Sequence, residues 1–202
     1  MPKATKRSLP RPSCELIAVG ASAGGLLALS QFLGDLNPDF PAIVVVQHLD
    51  PRHESHMAAL LARKTKKRVK EAEDGEQLHQ GTIYVCPADE HLLVSDGRIQ
   101  LAHSRVIHFS RPSIDVMFAS VAAIYGPRCM GVILSGSNRD GADGIAAIQR
   151  AGGITVAQAP ATAEFSTMPQ SSIDTGCVDY VLPLSKIGKE ISQLIARGKT
   201  RK

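Results

Sequence analysis

The chain of 202 residues has no tryptophan, and aromatic residues make up only 4% of it. Its core must therefore be built from Ala, Val, Ile and Leu, which suits a hydrophobic content of 44%. Cysteines are few: Cys14, Cys86, Cys129 and Cys177 are scattered and form no C-x-x-C pair. That spacing argues against a zinc ribbon or a disulfide framework. No apolar run approaches the roughly 20 residues needed to cross a bilayer, so membrane insertion is not expected. The basic opening segment lacks the apolar stretch of a secretory signal, which makes the cytoplasm the expected compartment. An acidic excess is missing too, with 23 Lys and Arg against 19 Asp and Glu for a net charge of +4. Much of that excess lies at the two ends and in Arg63-Lys64-Thr65-Lys66-Lys67-Arg68-Val69-Lys70. The run reads first as a solvated face and next as a surface for an acidic protein partner. No aromatics interleave with its lysines, so nucleic acid is not expected.

The length suits a single domain. Residues 1–13 read as a flexible basic lead, 14–196 as the domain and 197–202 as a basic tail. Strands are expected at Leu16–Val19, Ala42–Gln47, Thr82–Cys86, His91–Ser95, Ile99–Ala102, Met130–Leu134, Ile154–Ala157 and Tyr180–Leu182. Helices are expected at Leu26–Leu33, His53–Arg63, Ser113–Tyr125, Gly141–Ala151, Met168–Thr175 and Ile187–Ala196. The runs LIAV, AIVVV, GVIL and ITVA are continuously apolar, the pattern of parallel strands covered on both faces. Asp96-Gly97 between two short strands reads as a hairpin turn. The expected fold is α/β: a doubly wound, mainly parallel sheet flanked by helices, with an antiparallel β-hairpin.

In open parallel sheets, ligands bind beyond the carboxyl ends of the strands. Gly20-Ala21-Ser22-Ala23-Gly24-Gly25 follows LIAV, Gln47 and His48 follow AIVVV, and Ser135 to Gly141 follow GVIL with Asp140 among them. A hydroxyl, a base and a carboxylate thus share one sheet edge, the set needed for acyl transfer through Ser22, His48 and Asp140. The first segment also satisfies G-x-S-x-G, a strand-turn-helix elbow with Ala23 N–H as first oxyanion donor. The order Ser, His, Asp differs from the Ser, Asp, His of α/β-hydrolases. Plainer readings stand beside these: a tight βα turn at Ser22, a locally bonded histidine at 48, and a helix N-cap at Asp140 or Asp143. His53 and His56 sit three apart but lack a clear third ligand, and His79, His91, His103 and His108 read as structural. Neither a metal nor a cofactor is expected.

Several ordered blocks resemble the catalytic domain of the chemotaxis receptor methylesterases, the CheB family. They are IAVGASAGG, VVVQHLDP, YVCPADEHLLV, FSRPSIDVMFAS, GVILSGSNRDGADG and MPQSSIDTGCVDYVLPL, from Leu16 to about Ile195. The resemblance implies a protein-glutamate methylesterase that hydrolyses glutamyl methyl esters on chemoreceptor signalling helices and also deamidates receptor glutamines. Its serine, histidine and aspartate fall on Ser22, His48 and Asp140. Ala23, Gly136 and Ser137 become candidates for the oxyanion turn, and Arg111 for the substrate groove; Arg111 reads equally as a loop arginine before a helix capped by Ser113.

Two departures from the family pattern stand out. Asn138 occupies a loop position where the family has glycine, and since asparagine tolerates positive φ better than most residues, the turn is expected to survive. The family also carries an N-terminal receiver domain of roughly 120 residues. Only about 13 residues precede the first strand here, so a member without a receiver, or one cut from it, is expected, with a separate receiver or sensor protein as a partner. The alternatives are a non-catalytic regulatory or scaffold module of the same fold, and an esterase acting on a different ester.

Overall fold

A computed structural model describes residues 13–48, 55–106 and 110–199. Seven parallel strands form one sheet in the order β3-β4-β2-β1-β7-β8-β9. These are β1 (Leu16–Ala21), β2 (Ala42–Gln47), β3 (Arg68–Glu71), β4 (Thr82–Val85), β7 (Cys129–Ile133), β8 (Ile154–Gln158) and β9 (Tyr180–Leu182). β5 (His91–Ser95) and β6 (Arg98–Ala102) pair antiparallel as a separate hairpin. Its turn residues Asp96 and Gly97 both have positive φ, as a type I′ turn requires. Among the described residues there are six α-helices: α1 (Gly25–Asp35), α2 (Met57–Thr65), α3 (Ile114–Tyr125), α4 (Ala142–Arg150), α5 (Thr167–Asp174) and α6 (Leu184–Lys199). The expected α/β architecture is the observed one.

β1, β2, β4 and β7 are buried along their whole length. Alternation still sorts their side chains, because successive residues of a strand point to opposite faces. Ile17, Val19, Ile43 and Val45 face α1, α2 and α6, whereas Leu16, Ala18, Val44 and Val46 join the core under α3, α4 and the hairpin. Two cores thus enclose one sheet, and continuous apolar runs are the sequence that such a sheet demands.

The edges depart from expectation. Arg68–Glu71, inside the run read as a solvated basic face, forms β3 on the sheet margin. Its alternation of charged residues about Val69 gives no apolar run to notice, and only one side of it is paired. Arg63, Lys64, Lys66 and Arg68 are nevertheless exposed, so the solvated reading holds for their side chains. α2 starts at Met57; His53, and with it the pair considered with His56, lies outside the described residues, as do His108 and the first twelve residues of the lead. The last helix runs to Lys199, into the stretch read as a tail. No described helix is long and apolar enough to cross a membrane.

Topology places the site. From the central β1 the chain passes to β2, goes out to the marginal β3, comes back to β4 between β3 and β2, and then crosses to pair β7 on the other side of β1. Outside the carboxyl ends of β1 and β7 the strand order reverses, which opens a crevice. The loops after β1, β2 and β7 meet there.

Candidate active site

Ser22 sits one residue past β1, at the entrance to α1. Two neighbouring segments hold this elbow through three hydrogen bonds. Its N–H donates to Ser135 O at 2.9 Å, the Ser135 hydroxyl donates to Ala23 O at 2.8 Å, and Gln47 Nε2 donates to Ser22 O at 2.7 Å. Gly24 has a φ of 72°, which glycine adopts without strain. At Gly25 the reason for glycine is space: a Cβ there would lie 1.8 Å from Gln47 Oε1. That oxygen is buried and has no hydrogen-bond partner among the described residues.

His48 follows β2 directly. Gln47 Nε2 reaches its carbonyl at 2.9 Å, and its N–H donates to Ala21 O at 3.1 Å, so the backbone is fixed on both sides. The ring is clamped between two partners. Nδ1 lies 3.2 Å from Ser22 Oγ, and Nε2 lies 2.8 Å from Asp140 Oδ2. An ionised carboxylate can only accept, so Nε2 carries the proton and the Nδ1 lone pair faces the serine hydroxyl.

Asp140 is 1% exposed, yet every lone-pair direction is used. Oδ2 accepts from His48 Nε2 and from Ile114 N at 2.7 Å; Oδ1 accepts from the Ser113 hydroxyl and from Asp115 N, both at 3.0 Å. Burial by itself would push this carboxyl up, but the hydrogen bonds from His48, Ile114 and Asp115 outweigh it and hold its pKa below the ordinary value. The expected N-cap role is real but displaced. Asp140 caps α3, not the helix it precedes, while Asp115 from the first turn of α3 accepts Gly141 N at 2.9 Å and Gly144 N at 2.7 Å at the start of α4. The two helices cap each other reciprocally, and that exchange aims Asp140 at His48.

Asp115 pays the electrostatic cost of this arrangement. Burial, and then the charge of Asp140, raise its pKa to about 6 although Gly144 N–H opposes the shift. Behind both, buried His91 accepts Ser113 N–H at its Nδ1 and donates from Nε2 to Arg105 O. Sequence reading treated His91 as structural and did not single out Asp115 or Ser135; only the FSRPSID and GVILSGS blocks hinted at them.

The remaining candidates divide. Gly136 N–H is taken by Phe165 O at 2.9 Å, so it has no hydrogen to offer an oxyanion. Ala23 and Ser137 are left as amide candidates. The Arg111 guanidinium is already engaged: Nε and Nη2 reach Asp89 Oδ1 at 2.8 and 2.5 Å, and Nη1 reaches Ser104 O at 2.6 Å. Asn138 lies beside the base, with Nδ2 3.2 Å from His48 Nδ1 and Oδ1 accepting Asp140 N–H at 3.2 Å. Among the described residues no group of three or more His, Cys, Asp or Glu is arranged to hold a metal. A hollow of about 410 Å³ opens on Ser22, walled by Leu27, Gln47, Met57, Lys64 and Glu164.

The family model of CheB methylesterases matches residues 17–191. A Leptospira interrogans relative is 41% identical over 177 residues, covering 87% of this chain and 92% of its own. A protein-glutamate methylesterase/protein-glutamine glutaminase of Anaeromyxobacter dehalogenans is 39% identical over 181 residues; 89% of this chain aligns with 53% of that longer protein. The crystal structure of the Thermotoga maritima CheB methylesterase catalytic domain superposes with a TM-score of 0.85 at 35% identity, covering 90% of this chain and 99% of that one.

Proposed function

The chain belongs to the CheB methylesterase family, and from that premise we propose that it is a serine esterase hydrolysing glutamyl methyl esters on chemoreceptor proteins. Ser22 is its nucleophile, His48 its base and Asp140 the orienting carboxylate. The observation that carries the reading is the unbroken line Ser22 Oγ, His48 Nδ1, His48 Nε2, Asp140 Oδ2 at the sheet's switch point.

The chemistry follows from which atom holds which proton. Asp140 stays ionised because its pKa is lowered, so it keeps the hydrogen on Nε2 and leaves Nδ1 free to accept. As Ser22 Oγ bonds to the ester carbonyl carbon, its proton passes to Nδ1, and Asp140 stabilises the imidazolium. Negative charge on the former carbonyl oxygen faces Ala23 N–H and Ser137 N–H. The Nδ1 proton then goes to the departing methoxide, methanol leaves, and an acyl-enzyme remains. Water, deprotonated by His48, releases the glutamate and restores the serine. A glutamine side chain follows the same path with ammonia as the leaving group. Lys64 at the mouth of the hollow, with Arg63 and Lys66 close in sequence, suits an acidic receptor helix.

The test is methanol release from radiomethylated receptor fragments by the wild type and by Ser22→Ala. The wild type is expected to release labelled methanol, and the variant only background. Equal release from both would remove Ser22 from the chemistry. Ammonia release from a receptor glutamine reads the second activity independently.

A further inference from the structure

We infer that Asn138 restrains the catalytic base: its side-chain amide shares the His48 Nδ1 lone pair with the Ser22 hydroxyl and so slows proton transfer from Ser22. The inference rests on the triad proposed above.

An imidazole nitrogen offers one in-plane lone pair. Two donors converge on Nδ1, Ser22 Oγ–H and Asn138 Nδ2–H, and each stands at 3.2 Å. The unshared contact on the other side of the ring, Nε2 to Asp140, is 2.8 Å. Both Nδ1 distances lie at the long end of the hydrogen-bond range, as expected when one acceptor serves two donors. The orientation of the amide is fixed by its other end. Asn138 Oδ1 accepts the backbone N–H of Asp140 at 3.2 Å, and reversing the amide would set NH₂ against that N–H.

The energetic sense of the contact follows. In the resting enzyme Asn138 stabilises neutral His48. Once Nδ1 has taken the serine proton, it becomes a donor facing another donor, and the hydrogen bond is lost. Asn138 therefore favours the ground state over the transition state, the opposite of what accelerates a reaction. Its backbone does not explain its presence. Among the described residues the non-glycine positions with positive φ are Lys66, Asp89 and Asp96, so position 138 demands neither glycine nor asparagine. The side chain is what distinguishes this loop.

Among the described residues the groups facing the ring are few. Asp140 approaches from the loop after β7, with Asp115 of α3 behind it, and Ser22 and Asn138 meet Nδ1. Exchanging Asn138 keeps all of these side chains; the alanine and glycine variants also give up the Oδ1 acceptor of Asp140 N–H, whereas Asn138→Asp retains an oxygen there.

A small alkyl fluorophosphonate tests the inference without involving receptor recognition. Ser22 Oγ bonds to phosphorus, its proton passes to His48 and fluoride leaves, so the labelling rate reads the serine–base pair alone. Asn138→Ala and Asn138→Gly are expected to label about five-fold faster than wild type, the factor one neutral hydrogen bond supplies. Their kcat for methyl ester hydrolysis should rise by a similar factor with KM unchanged. Asn138→Asp is expected to label at least about ten-fold more slowly, because a carboxylate accepts from Nδ1–H and holds the proton on the wrong nitrogen. A residue that merely packs would give the reverse, with Ala and Gly slower and Asp near wild type. Alanine and glycine variants that label no faster than wild type overturn the restraint, as does an aspartate variant that labels faster. Wild-type protein that labels no faster than Ser22→Ala would instead overturn the triad.

Discussion

The two edges of the sheet contrast in room and in chemistry. At the amino edge, Cys14, Glu15, Ala42, Leu78, Gln80 and Tyr125 line a cavity of about 550 Å³, while the hollow beside Ser22 measures about 410 Å³. The roomier site would be the default choice for a ligand. Its chemistry is idle, however. Burial pushes the Cys14 thiol up to about 12, so it holds its proton at neutral pH, and Glu15 is paired with Arg128. At the carboxyl edge a smaller hollow is served by a serine, a histidine with a fixed tautomer and a carboxylate held ionised by four donors. Volume finds space; only directed lone pairs and protons find a reaction.

Removing the proton-holding role of Asp140 should break that contrast most severely. Asp140→Asn keeps the size of the side chain but offers His48 an NH₂ group, which favours hydrogen on Nδ1 and turns the ring's donor towards Ser22. The expected loss in kcat for methanol release is about 10⁴-fold, the cost of a wrong tautomer in a comparable triad. A loss under ten-fold would mean that the reaction does not run through this line of hydrogen bonds.

The reciprocal caps offer a second test, on stability. Asp140 and Asp115 are buried side by side and shift in opposite directions. The raised pKa of Asp115, about 6, means that the folded chain keeps a proton that the unfolded chain gives up near pH 4. Its contribution to stability therefore falls as pH rises through that window, and the full penalty remains above about pH 6. Asp140, with its pKa lowered, contributes stability above the ordinary carboxylate range and loses it only as pH falls below that range. Asp115→Asn should accordingly gain in urea midpoint relative to wild type as pH is raised from about 4 to about 6. Parallel curves for the two proteins across that window would show that Asp115 is not the group titrating there.

Sequence patterns revealed these regions unequally, for physical reasons. β1, β2 and β7 were visible because a strand covered on both faces is apolar at every position. β3 was hidden because Arg68-Val69-Lys70-Glu71 lies on an edge where one apolar residue suffices. Ser22, His48 and Asp140 could be picked out because each follows a buried strand, and parallel strands bring their ends together. Long-range contacts left no such mark. Nothing local signals that Asp140 caps α3 while Asp115 caps α4, that Gly136 N–H is taken by Phe165, or that Asn138 leans on His48. Arg111 stood in a suggestive block, yet its guanidinium holds Asp89 and Ser104.

The smallest effect should come from the amino edge, and its smallness is what makes it informative. Gln80→Ala and Cys14→Ala alter the walls of the larger cavity while leaving the loops after β1, β2 and β7 unchanged. If that cavity plays no part in ester hydrolysis, methanol release should stay within about two-fold of wild type for both, since residues without a shared partner act independently. Iodoacetamide sharpens the same point. A thiol held near 12 has almost no thiolate at pH 7 and should alkylate far more slowly than free cysteine. Rapid alkylation of Cys14 with parallel loss of esterase activity would join the two edges, since β1 runs from Leu16 beside that thiol to Ala21 beside the nucleophile. Slow alkylation with activity intact would leave the chemistry at the carboxyl edge alone.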